Sequence, residues 1–196
     1  MAELPPVPGA IGVFQNFIAK TTETLILKEK VLSLSGDSFD ITNTQGNAFM
    51  KIKGRHMTIS GRKSVYDMHN NHLYDIVKEH FHLHSTYVAE DPNGKKFLSV
   101  KSSIKLIGSK ATAEFTSFSG QPETLTMTGN WLDTSANIVC ERTGATVARI
   151  DRKLLKAREI FTSNQTYALV VAPGVDMALM VALCIALDEK NNEGGN

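Results

Sequence analysis

The sequence predicts a mainly β fold: a closed antiparallel barrel built around one hydrophobic C-terminal helix. Three observations predict it. Residues 177–187 are apolar without interruption, and a helix that is apolar on every side has to be enclosed. Short strand-like runs separated by turn residues recur through most of the chain. A sheet of roughly ten or more strands has two edges to hide, which closure removes, and a barrel of that size is wider than its own side chains can fill. The apolar helix supplies that filling.

In chain order, residues 1–10 form an extended Pro-rich segment containing Pro5, Pro6 and Pro8, and Phe14 and Phe17 beyond it are expected to pack on the body. A first strand covers 24–30. Hairpins then repeat. Phe39-Asp40-Ile41 and residues 49–53 flank the turn Asn43-Thr44-Gln45-Gly46-Asn47. Residues 65–68 and 73–77 flank His69-Asn70-Asn71-His72; 87–89 and 97–100 flank Glu90-Asp91-Pro92-Asn93-Gly94; 138–140 and 146–150 flank Glu141-Arg142-Thr143-Gly144. Further strand-like runs are 57–59, 81–84, 104–107, 112–115 and 125–128, and Pro122 is read as part of a loop. Residues 151–163 are charged, a short helix or an extended crossover. Tyr167-Ala168-Leu169-Val170-Val171-Ala172 is apolar throughout, the mark of a strand buried on both faces. Pro173-Gly174 turns the chain into the helix, with Asp176 placed to cap it. Its apolar part is shorter than the about 20 residues that span a bilayer, so a buried plug is the expected role rather than a membrane anchor.

A chain of 196 residues suits a single domain, 1–196, with 190–196 as a flexible tail. Lysine and arginine total 21 against 20 acids, a balance that speaks against a nucleic-acid partner. Cys140 and Cys184 are too few for a disulfide framework or a zinc site and fit a reducing compartment. No basic segment precedes an apolar one at the N-terminus, so the expected location is cytoplasmic, peripheral at a membrane where lipid is bound. The sequon Asn164-Gln165-Thr166 is read as chance.

The run Tyr167-Ala168-Leu169-Val170-Val171-Ala172-Pro173-Gly174-Val175-Asp176-Met177-Ala178-Leu179, ending in Leu187-Asp188-Glu189-Lys190, resembles the C-terminal signature of the LURP-one-related family. Val65-Tyr66-Asp67 and Leu83-His84-Ser85-Thr86-Tyr87-Val88 are similar to that family too, and the resemblance covers about residues 11–193. It implies kinship with the Tubby C-terminal domain and the phospholipid scramblases, and with them a twelve-stranded barrel around a central helix. It implies no catalytic activity. Tubby domains bind phosphoinositides at basic residues on the barrel exterior, but no such residue aligns one by one onto this chain. Plant members of the family are linked to pathogen defence.

Two groups of residues are candidates for chemistry. Lys51, Lys53, Arg55, Arg62 and Lys63 can converge from neighbouring strands on the charge of a phosphoinositide or other anionic head group, or they belong to an ordinary solvated wall. Arg152, Lys153, Lys156 and Arg158 form a second basic group, open to the same two readings. His80, His82 and His84 alternate with Phe81 and Leu83, so their imidazoles share a strand face, either as metal ligands or as a polar exterior. Nucleophile elbows, phosphate-binding glycine loops and paired-cysteine motifs are absent from the sequence. The expectation is therefore a non-enzymatic protein without a cofactor, binding anionic lipid on its exterior. The alternatives are a soluble module that binds a protein partner, and a His-based metal-dependent enzyme.

Overall fold

The computed structural model describes residues 3–28, 38–54, 62–79, 86–104, 109–130, 135–152 and 166–193. Twelve strands follow one another: β1 (Glu23–Lys28), β2 (Ser38–Asn43), β3 (Ala48–Gly54), β4 (Lys63–Tyr66), β5 (His72–Glu79), β6 (Thr86–Glu90), β7 (Lys96–Ile104), β8 (Ser109–Thr116), β9 (Pro122–Asn130), β10 (Ser135–Cys140), β11 (Thr146–Asp151) and β12 (Thr166–Val171). Each pairs antiparallel with its neighbours in sequence, and β1 closes the barrel on β12 through six residue pairs, Glu23↔Val171 to Lys28↔Thr166. The helix α1 (Met177–Glu193) is the last element.

Turn chemistry explains the repeated hairpins. In three of them the last residue of the leading strand, or the one just after it, accepts two backbone N–H groups through its side chain. Asn43 Oδ1 takes those of Gln45 and Asn47, Asp67 Oδ1 those of His69 and Asn71, and Asp91 Oδ1 those of Asn93 and Lys95. The fourth turn position is left-handed, occupied by Gly46, Asn70 and Gly94. Antiparallel order places these turns, the β8–β9 and β10–β11 turns and the β12–α1 connection at one end of the barrel, called here the hairpin end.

The helix enters the lumen from that end. Ala178 to Leu187 are all between 0% and 2% exposed. Their enclosure is complete because strands on opposite walls reach the helix: Tyr74 Oη on β5 donates to the Ala178 carbonyl at 2.9 Å, and Tyr167 Oη on β12 donates to Asp188 Oδ2 at 2.7 Å. Each buried Leu, Ile, Val or Met on such a helix contributes about 1.5–3 kcal/mol. Barrel residues alternate as expected, with Met50, Ile52, Val65, Tyr74 and Ile76 pointing inward and fully or almost fully buried. Several strands depart from this alternation: Thr24 to Leu27 on β1, Thr86 to Ala89 on β6 and Thr166 to Val171 on β12 are buried on both faces.

Three details differ from the sequence reading. Pro122 opens β9 instead of lying in a loop, a first-strand position where the missing N–H costs nothing. Ile104, expected to begin a separate run, ends β7. The helix runs on to Glu193, past the point where the sequence suggests a tail, because Asp188 and Glu189 find partners at the mouth of the lumen. The expected strands at 57–59 and 81–84 lie outside the described residues.

Candidate functional site

The four described members of the basic group, Lys51, Lys53, Arg62 and Lys63, are divided between the two faces of the wall. Lys51 and Lys53 alternate with buried Met50 and Ile52, so both stand on the outer face of β3. Lys53 Nζ sits 4.2 Å from the centre of the Tyr66 ring, a cation–π contact, and that ring lies 5.0 Å from His72. Arg62 also lies outside, but two acids hold it: Nη1 meets Asp75 Oδ2 at 2.5 Å and Nη2 meets Glu90 Oε2 at 3.1 Å. Hydrogen bonding to Asp75 is the main cause of the raised Arg62 pKa. Burial pushes the Asp75 carboxyl up, while Ser64, Arg62 and His72 lower it by more, leaving it below the ordinary carboxylate value.

Lys63 corrects the expectation of an exterior group of five. It shares the face of Val65 and pairs in register with inward Ile76, so its stem enters the lumen. Its Nζ lies 3.6 Å from Glu189 Oε1 of the helix. Arg55 lies outside the described residues, as do His80, His82, His84, Lys153, Lys156 and Arg158. Arg152, from the second basic group, is 7% exposed and lies over the Tyr167 ring at 5.1 Å. Among the described residues no group of three His, Cys, Asp or Glu side chains is placed to hold a metal ion.

The far mouth of the lumen is thus lined by polar side chains around the second half of the helix. Burial, with Asp188 adding to it, holds the Tyr167 phenol and the Cys184 thiol well above their ordinary pKa values, so both stay protonated. Neutral Tyr167 then donates to Asp188, which ties the helix to β12.

The hairpin end is built differently. An N-terminal strap crosses it, bonded by Val7 N–H to the Pro173 carbonyl, Ile11 N–H to Gly174 and Ala19 N–H to Val175. Asp176 is the knot. Its Oδ1 accepts the N–H groups of Ala178 and Leu179, capping the helix, and its Oδ2 accepts those of Val13 and Phe14 in the strap, at 2.9 and 2.7 Å. Burial raises the Asp176 pKa despite these four donors. Gly12 is required here, since a Cβ would lie 2.2 Å from the Asp176 Cβ.

The strap carries aromatic rings over the lumen. Phe14 packs on Phe97 at 5.4 Å and Tyr74 at 5.7 Å, and Phe17 packs on Phe49 at 5.9 Å. Phe14, Phe17 and Phe49 line an open dish of about 830 Å³, together with Leu73, Met68 and Phe118. Met68 is 43% and Phe118 37% exposed, the only exposed large hydrophobic side chains among the described residues. A second groove of about 980 Å³ continues past Phe14 and Phe118 between the β6–β7 and β8–β9 hairpins. Its charges are largely matched internally: Lys96 pairs with Glu79, Lys101 with Glu114 and Arg142 with Glu123. The sequence reading places Met68 at the end of a strand-like run, whereas the strand ends at Tyr66, and it passes over Phe118. Their signal is a large apolar residue inside a turn, Asp67-Met68-His69-Asn70 and Ser117-Phe118-Ser119-Gly120, where polar residues are the rule.

Among the described residues, no helix is long and apolar enough to cross a membrane. The chain is 24% identical to Protein LURP-one-related 10 of Arabidopsis thaliana over 92% of this chain and 96% of that protein. It is 21% identical to Protein LURP-one-related 15 of the same plant, covering 96% and 89%. An X-ray structure of an Arabidopsis thaliana protein superposes with a TM-score of 0.63 at 17% identity, covering 93% of this chain and 99% of that one, and so shares the fold. The profile of the LURP-one-related family matches residues 23–188, from the first strand that closes the barrel to the aspartate that anchors the helix. With most of the chain inside that match, the protein belongs to the LURP-one-related family.

Proposed function

We propose that this protein is a non-enzymatic adaptor that binds with the outside of its barrel. One observation carries the reading: the lumen is occupied by the protein's own helix, whose side chains from Ala178 to Leu187 are at most 2% exposed. A barrel of this kind has no interior site in which to enclose a substrate, and ligands meet its wall or its ends. The kinship with Tubby and scramblase proteins that the sequence suggests supports an anionic head group as ligand, bound peripherally at the cytoplasmic face of a membrane. Lys51 and Lys53, side by side on β3, are the residues to carry it.

The test is co-sedimentation with phosphatidylcholine vesicles, with and without phosphoinositide. Phosphoinositide is expected to increase pelleting, and the pair Lys51→Glu and Lys53→Glu to abolish the increase. Equal and negligible pelleting in both cases removes the lipid reading. A second reading, a protein-binding module, is favoured by a separate observation: the apolar dish edged by Met68 and Phe118.

A further inference from the structure

From the chemistry of the hairpin end we infer a docking site for a peptide segment of a protein partner, with an apolar side chain seated against Phe14, Phe17 and Phe49. The inference rests on the adaptor reading and names its partner. Three features of the dish select this occupant.

The first is charge. Among the described residues no lysine or arginine lines the dish, whose polar residues are Gln15, Asn16, Asp67, His69 and Asn71, and in the adjoining groove Lys95 and Lys96 are outnumbered by Glu79, Asp91, Glu114 and Glu123. Asp67 is spent inside its own turn, where Oδ1 accepts two N–H groups and Oδ2 accepts the Asn71 side-chain amide. An anionic head group meets an excess of carboxylates along this depression rather than cations to replace its water. Side-chain amides, by contrast, match the C=O and N–H of a peptide bond.

The second is shape. The dish runs into the groove past Val13, Phe14 and Phe118, which line both depressions. An elongated ligand fits such a continuous depression. Because the barrel is closed, its described strands offer no free edge on which a peptide adds by backbone pairing. A partner has to be held by side chains at the end of the barrel.

The third is composition. Aromatic and methionine side chains are the types enriched at the centres of protein interfaces, where they adapt to an incoming apolar anchor. Met68 and Phe118 stand on two different turns, and the dish lies between them. The Phe118 N–H is bonded to the Gly12 carbonyl, which fixes one edge to the strap, and the Asn70 left-handed turn fixes the other. The site is therefore preformed, and a ligand that enters it pays little to order the protein.

The experiment has two arms on the full chain. Dodecapeptides displayed on phage are selected against the wild type, and the best is synthesised and measured against the double variant Met68→Asp, Phe118→Asp. The expected result is a shared aromatic or aliphatic anchor and binding at least about tenfold weaker to the double variant. Both positions are exposed, and an unchanged melting temperature shows that the variant folds. In the second arm, N-acetyl-tryptophan amide and octyl phosphate are titrated into wild-type protein carrying ¹³C-methyl methionine. The amide is expected to shift the Met68 methyl saturably, with octyl phosphate and phosphatidylcholine vesicles leaving it in place. Selected peptides that bind the double variant as tightly as wild type overturn the site. A Met68 methyl that responds to octyl phosphate or vesicles and not to the amide overturns the peptide as occupant. If the peptide arm fails while phosphoinositide vesicles still recruit the protein, the adaptor reading stands without this site; if both fail, the adaptor reading falls too.

Discussion

At the residue scale the chain depends on a few side chains that each do two things. Asp176 caps the helix and fastens the strap, and its partners Val13 and Phe14 lie 163 and 162 positions away. The capping half of that role is legible from an acid just before an apolar run. The fastening half is not, because nothing local points to a strap. Asp176→Asn keeps the cap but turns a donor toward the Val13 and Phe14 N–H groups, and a cost of about 1–3 kcal/mol is expected in urea unfolding. Gly12→Ala is expected to be at least as damaging, since the new Cβ has no space beside Asp176.

Asp75 sets a pH dependence. Its folded pKa lies below the unfolded value, so between the two the unfolded chain holds more protons and stability rises with pH. The contribution is fully present above about pH 4, the unfolded carboxylate value, and is lost as pH falls through the folded one. The urea midpoint of the wild type is expected to fall between pH 5 and pH 2.5, and Asp75→Asn to fall less steeply over the same range. Lys63 has an inward position that is legible in the sequence. It stands two positions from Val65, and period-two alternation puts both on the inner face. Grouping Lys63 with the exterior lysines Lys51 and Lys53 hides that pattern.

At the scale of elements, the helix is the most legible part of the chain, because an uninterrupted apolar run needs no periodicity to be read as buried. Its enclosure is testable. Ala182→Asp puts an unpaired charge where exposure is 0%, a change worth several kcal/mol, and insoluble or unfolded protein is expected on expression. A soluble, native variant contradicts the enclosure. Tyr167→Phe removes the hydrogen bond to buried Asp188 and is expected to cost about 1–3 kcal/mol, read from the urea midpoint. The hairpins were legible from their turns, where Asn43, Asp91, Gly46 and Gly94 announce the geometry. The helix beyond Leu187 was not, because Asp188 and Glu189 look like a solvated end until Tyr167 and Lys63 are seen opposite them.

At the scale of the whole molecule, filling the lumen moves function to the surface. The wall at Lys51 and Lys53 and the dish at the hairpin end are different kinds of surface, one cationic and one apolar. Each is visible in the sequence only as scattered residues, since lysines on a strand and a phenylalanine in a turn gain meaning when the barrel sets them beside particular neighbours. The candidate site was accordingly less legible than the fold that carries it. Both surfaces require the same scaffold, a barrel that keeps its helix inside while a ligand is held outside. Amide hydrogen exchange across residues 178–187 tests that most directly. The account predicts that these amides exchange only through global unfolding, at the free energy measured in urea, and that phosphoinositide vesicles or bound peptide do not speed them. Exchange on the scale of an exposed helix, or helix amides released when a ligand binds, would contradict it.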